Sequence, residues 1–234
     1  MIGDTNVRAM PVAAGTQIST LEVGTLVKIN ENGAPVEYLI VNQGLPSSMY
    51  DASCDGCWVT RKDIAENRAW NSSNNDYKNS DIQAYLNGAW TSRYSAGVLS
   101  QIKQVKILYV NGTGSGGSVA SGANGLSCKI FLLSGYELGW TTSDRPYFPR
   151  DGAKLSYFSS GTGSAANNKR IAKYNGSAAG WWLRSSTLST RYVGLIDSDG
   201  NYSNWRCNAA DGVRPTLILP STALVDDELN VLAA

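Results

Sequence analysis

Apolar and polar residues alternate from Val23 to Asn30 and again from Pro35 to Asn42, and Asn32-Gly33 lies between the two runs. A repeat of two is the strand period, and Asn-Gly suits the tight turn that joins antiparallel neighbours, so this stretch predicts a hairpin. Cys57 to Lys62 reads as a short extended segment and Lys62 to Ala69 as helical. From Ser80 the period changes. Ile82, Tyr85 and Leu86 fall on one helical face, Ser80 is placed as N-cap and Gly88 as terminator. Val98 to Ile102 reads as a second short helix, and Val105 to Val110 as a strand that is apolar on both faces and therefore buried.

The next segment, Asn111 to Ser127, has six Gly and four Ser in 17 residues and reads as a long flexible or poorly packed loop. No G-K-[ST] closes it, so it is not a phosphate loop. Core resumes at Lys129 to Leu133, Ser134 to Trp140 is a turn or short helix, and Asp144 to Asn168 is mostly loop. Strand character returns at Trp181 to Arg184 and Tyr192 to Asp197, and Asp199-Gly200 signals a second hairpin whose return strand is Tyr202 to Asn208. Gly212 to Pro220 closes as an apolar strand, with Pro215 marking an edge or a bulge. Helices are few and short, strands many, loops long, with no internal repeat. The fold class expected is α+β with short antiparallel sheets. The expected organisation is an N-terminal arm or connector at 1–20, one domain at 21–225 and a tail at 226–234.

Composition narrows function. Charged residues are only 17% of the chain, whereas 27 Ser, 24 Gly and 19 Asn supply its polar character. A net charge of +1 gives no electrostatic footprint for nucleic acid. No window of apolar residues is long enough to span a membrane, and Met1 to Met10 has no basic region followed by an apolar one, so no signal peptide is expected. The chain has no His, which removes His-based acid–base catalysis, Ser-His-Asp triads and most zinc chemistry. Cys54 and Cys57 have C-x-x-C spacing without a second pair, and the Asp-Gly between them reads as a tight turn. Thiols without a role, a structural disulfide and a redox or metal site all stay open for the four cysteines.

Three motifs carry a resemblance: Trp181-Trp182-Leu183-Arg184-Ser185 followed by Gly212-Val213-Arg214-Pro215, the run Trp70-Asn71-Ser72 through Ser80-Asp81-Ile82-Gln83-Ala84-Tyr85-Leu86-Asn87-Gly88, and Phe131 to Gly139. The chain resembles the C-type lectin-fold variable proteins of diversity-generating retroelements, within a group of uncharacterised domains common in prophages and gut bacteria, and more distantly the formylglycine-generating enzymes. The resemblance covers roughly residues 21–225. It implies a C-type lectin-like fold in which fixed strands carry a diversified, solvent-facing surface at about 186–211. It also implies a binding protein rather than an enzyme, displayed on a virion or bacterial surface.

The ligand-contacting positions implied are Thr187, Leu188, Thr190, Arg191, Tyr192, Gly194, Asp197, Ser203, Arg206, Asn208, Ala210 and Asp211, with Arg191, Tyr192 and Arg206 as anchors. Asp199-Gly200, Trp205 and Gly212 read as framework, Trp205 as a buried ring. Tyr, Arg, Ser and Asn are types that make good contacts at modest entropic cost. The partner expected is a protein or a surface glycan, with oligomerisation open and neither cofactor nor metal. The alternatives are a structural or accessory prophage domain without a specific ligand, and a Cys-dependent oxidase.

Other constellations weigh less. Asp197-Ser198-Asp199-Gly200-Asn201 resembles half a calcium loop, but Asn208 stands where the terminal Glu would be, so a hairpin turn is the expectation. Arg184 and Arg214 are either a substrate clamp or, as core-like strand positions suggest, structural guanidinium groups on loop carbonyls or on a carboxylate such as Asp63 or Asp81. The seven Trp are scattered and read mostly as core.

Overall fold

A computed structural model describes residues 15–141 and 149–233. Most of the 1–20 lead-in and the start of the loop expected from Asp144 therefore lie outside the described residues. The chain opens with β1 (Thr16–Gln17), then β2 (Leu26–Glu31) and β3 (Ala34–Gln43). The predicted turn holds: Asn32 and Gly33 take φ of 52° and 84°, the left-handed pair that matches the twist of the flanking strands. β4 (Cys57–Arg61) follows. The helix expected over Lys62 to Ala69 does not form, and Glu66–Ala69 is β5. Its partner strand decides this, since residues 66 to 69 pair one-for-one with residues 213 to 210.

Helix α1 (Asp81–Asn87) starts where Ser80 Oγ accepts from Gln83 N at 3.2 Å and stops at Gly88. Helix α2 (Ala96–Gln101) is capped in the same way by Ser95. The expected strand at 105–110 is split into β6 (Val105–Ile107) and β7 (Tyr109–Asn111). The Gly-rich segment is ordered into β8 (Ser118–Ala120), which pairs with β7, and β9 (Leu126–Cys128), which pairs with β6. Then come β10 (Ile130–Phe131), α3 (Ser164–Asn168), β11 (Ala172–Tyr174) and β12 (Ser177–Ala179). The last third holds β13 (Trp181–Ser186), β14 (Tyr192–Ile196), β15 (Tyr202–Arg206), β16 (Ala210–Val213), β17 (Thr216–Leu219) and β18 (Leu224–Val225).

The architecture is mixed α and β, with mostly short antiparallel sheets and three short α-helices among the described residues. One five-stranded sheet has the order β10-β17-β4-β3-β2 and the other β15-β14-β13-β16-β5. The closing strand expected over Gly212 to Pro220 is two strands, one in each sheet. Pro215 marks neither an edge nor a simple bulge but the corner between them, where a missing N–H costs no ladder bond. Because β5 continues from β4 and β16 runs into β17, residues 57–69 and 210–219 form one antiparallel ribbon that crosses both sheets.

Trp58, Trp70, Trp90, Trp140, Trp181 and Trp182 are fully buried around this ribbon. Thr16 and Gln17 pair with Val225 and Leu224, and Ile18 and Val231 are buried, so residues 15–20 and 226–233 pack on the same body. Among the described residues no helix is long and apolar enough to cross a membrane.

Candidate functional site

The support for the 187–211 region begins one strand earlier. Six successive residues of β13 are buried, among them Arg184 at 0% exposure. All five N–H groups of its guanidinium are used. Nε donates to Leu108 O, Nη1 to Leu132 O and Glu137 Oε2, and Nη2 to Glu137 Oε1 and Asp151 O, at 2.6–2.8 Å. Arg184 is thus a structural tie between four chain segments. Its carboxylate partner is Glu137, not Asp63 or Asp81. Tyr50 Oη donates to Glu137 Oε1 at 2.8 Å, and Ser185 Oγ donates to the buried Asp151. Burial pushes the Asp151 carboxyl up to about 7. An ion pair this deep is tolerable only because its donors and acceptors are saturated.

Beyond Ser186 the chain leaves the sheet, returns at Tyr192, and is gripped from below by Asn75. The Asn75 side-chain amide donates to Thr187 O (3.1 Å), Ser189 O (2.9 Å) and Tyr192 O (2.8 Å), its Oδ1 accepts from Gly114 N (3.0 Å), and its backbone N donates to Thr190 O (2.9 Å). The Gly-rich segment completes the grip, with Ser115 N donating to Leu188 O. Gly114 sits at φ 53°, and a Cβ there would come within 2.9 Å of Leu188 O. Hence the segment read as a flexible loop is a close-fitting clamp, and its glycines allow that approach. Nothing in the sequence singles out Asn75 from the Asn-Ser run around it.

The structure sorts the sequence-predicted positions into three groups. Leu188, Thr190, Arg191, Arg206, Asn208 and Ala210 are exposed, and Tyr192, Asp197, Ser203 and Asp211 are half-buried. Thr187 and Gly194 are buried, contrary to the expectation that they face solvent. Thr187 Oγ1 donates to Ser189 O and Tyr192 O, and Gly194 lies beneath the ring of Tyr202. Asp197 is a turn residue whose Oδ1 accepts from Asp199 N and Asn201 N, as a hairpin turn requires. Asp211 Oδ1 accepts from Gly212 N, and burial raises its pKa. Ala210 and Asp211 lie in β16, on the far side of β13 from the others, so the positions do not make one contiguous patch.

What does come together lies along β15, the outermost strand of its sheet. Tyr192 is opposite Arg206 and Gly194 opposite Asn204, and these side chains share one face of the strand pair. A depression of about 330 Å³ opens there between Leu188, Ser189, Tyr192 and Asn204. The expectation of a buried Trp205 ring is wrong: opposite Val193, it projects from the other face of β15 and is 55% exposed. Leu188, at 58%, and Trp205 are the two most exposed large apolar side chains of the described chain. The alternation that predicts strand β15 does not reveal that it is an edge.

The four thiols are free and buried, with no disulfide. Burial pushes Cys54 up to about 11 and Cys57 and Cys128 up to about 12, and it also raises Cys207. Among the described residues no group of three or more Cys, Asp or Glu is arranged to hold a metal ion.

The sequence profile of one family, described as "Domain of unknown function (DUF6273)", matches residues 55–221, and the chain belongs to that family. No curated protein and no solved structure matches it.

Proposed function

We propose that this member of the DUF6273 family is a ligand- or receptor-binding domain of C-type lectin-like design, and that it engages a protein or surface glycan along β15 and the 187–192 loop. The observation that carries the reading is the exposure of Leu188 and Arg191 next to Tyr192 and Arg206, on a loop fixed from beneath by Asn75, with Trp205 exposed on the other face of the same edge strand. Apolar and aromatic side chains left in water next to arginines are typical of binding hot spots. The clamp lowers the entropy lost on association, because the loop is ordered before any partner arrives. The lectin-like reading is supported by the pairing of β1 with β18, which brings the two described ends together, and by long irregular segments between short strands. The retroelement link rests on the resemblance of the flanking motifs, and with it goes display on a virion or bacterial surface.

Two experiments test this. Leu188→Ser with Trp205→Ser and Arg206→Ala leaves the fold intact, since exposed substitutions away from caps and networks shift stability by about 0.5 kcal/mol or less each. Labelled wild-type protein is then titrated onto glycan arrays, protein arrays and bacterial cells. Saturable binding that falls at least about tenfold in the triple variant is expected, and binding that is the same in both proteins, or absent on every surface, removes the proposal. Second, the coding segment for residues 181–215 should have a nearby near-copy that differs only at adenines. Absence of such a copy ends the retroelement part while leaving the binding part to the first experiment.

A further inference from the structure

The ribbon of β4–β5 and β16–β17 changes register where Lys62 to Ala65 bulge opposite Arg214-Pro215. Beside this bend lies a cleft of about 510 Å³ that shares no residue with the depression along β15. The volume falls within the range of small-molecule sites. Arg214 lines it at 2% exposure. Its Nε donates to Arg61 O at 2.8 Å and its guanidinium lies 4.7 Å from the Trp181 ring centroid. Its Nη1 is buried and has no hydrogen-bond partner among the described residues. A buried guanidinium N–H left unpaired is costly, and an incoming acceptor removes that cost.

The remaining charges set the kind of acceptor. Lys62 is paired with Glu37 at 2.7 Å, and Lys169 Nζ donates to Tyr157 O at 2.9 Å. Lys173 at the rim has no ion pair among the described residues. Asp63 also lines the cleft, its Oδ1 taken by Lys173 N, and no ion pair closes between it and Arg214. Among the described residues Lys169, Lys173 and Arg214 thus carry charge without an ion pair against the one carboxylate of Asp63, so the cleft favours an anion, and the one unpaired Arg214 nitrogen calls for a single acceptor group. The walls contributed by Leu26, Leu39, Ile171 and Tyr157 favour an apolar body.

We infer that this cleft binds a small monocarboxylate with a hydrocarbon body, its carboxylate on the Arg214 guanidinium and its chain against Leu26, Leu39, Ile171 and Tyr157. The inference does not depend on the binding face along β15.

The test is chemical-shift mapping of the full chain with hexanoate, acetate, hexanol and inorganic phosphate. Hexanoate is expected to shift the amides of Lys62, Asp63, Ile171 and Lys173 saturably, at least about tenfold more tightly than hexanol, with acetate and phosphate weaker still. Lys173→Glu, a surface change, should weaken hexanoate several-fold, and Arg214→Lys should abolish binding in protein that circular dichroism shows to be folded. Where Arg214→Lys does not fold, Lys173→Glu carries the test. Hexanol binding as tightly as hexanoate, phosphate binding more tightly than either, no saturable shift at tens of millimolar hexanoate, or an unaffected Lys173→Glu protein would each overturn the assignment.

Discussion

The grip of Asn75 on the 187–192 loop can be measured directly. Asn75→Ala removes two amide donors and one acceptor from a fully buried position. Ser189 O and Tyr192 O keep the hydroxyl of Thr187, so their loss is partial. Gly114 N–H and the Thr187 carbonyl lose the bond that Asn75 supplied, and each then bears a cost of about 1–3 kcal/mol as a buried polar group without its partner. With about 1 kcal/mol for the weakened bonds, the total is about 3–7 kcal/mol. Urea unfolding gives the global figure, and amide exchange at residues 114–115 and 187–192 shows whether the loop opens first. Asn75→Asp is the sharper variant, because it turns a carboxylate toward three carbonyls. It should be at least as damaging near neutral pH and recover toward acid pH, where the group protonates and donates again. A loss below about 1 kcal/mol with unchanged exchange in both segments would show that the loop does not hang on this residue.

Three further outcomes follow from the buried network and the thiols. Glu137→Gln leaves the Arg184 cation at 0% exposure without its counter-charge and should cost about 3–5 kcal/mol in denaturant unfolding, whereas Glu137→Leu combined with Arg184→Met should recover part of that loss. Asp151 titrates at about 7 in the folded chain against the ordinary 3.8, mainly through burial. Its contribution to stability is therefore full below pH 3.8 and lost as pH rises through about 7, and Asp151→Asn should flatten that part of the Tm-versus-pH curve. All four cysteines are buried with raised pKa values, so a thiol reagent at pH 7 should label none of them rapidly in native protein and all four in denaturant; rapid native labelling would contradict the packing described.

Local chemistry made several elements readable. Asn32-Gly33, Ser80 and Asp199-Gly200 each act on backbone within a few residues, and the turns and cap they promise are present. The misreadings of Thr187 and Gly194 have local causes, but the larger ones involve distant partners. Residues 66–69 carry a polar, helix-compatible pattern, yet strand β16 claims them. Glycines at 111–127 look like slack until Leu188 is brought against Gly114. Trp205 and Trp182 are equally aromatic in the sequence, and only the strand order makes one an edge residue and the other core. For Asn75 there was no signal at all, since the carbonyls it serves are 112 to 117 residues away.

The ribbon that crosses both sheets has a consequence for how the chain reaches this state. Thr60 and Pro215, bonded across it, are 155 residues apart. Joining its halves closes nearly the whole domain into a loop, an entropic cost of about 4–5 kcal/mol before most long-range pairing is rewarded. During synthesis, then, β2 and β3 can pair with β4 early, but β4 and β5 lack their partners β17 and β16 until residue 219 has left the ribosome, and the joining of the two sheets must wait for that last segment.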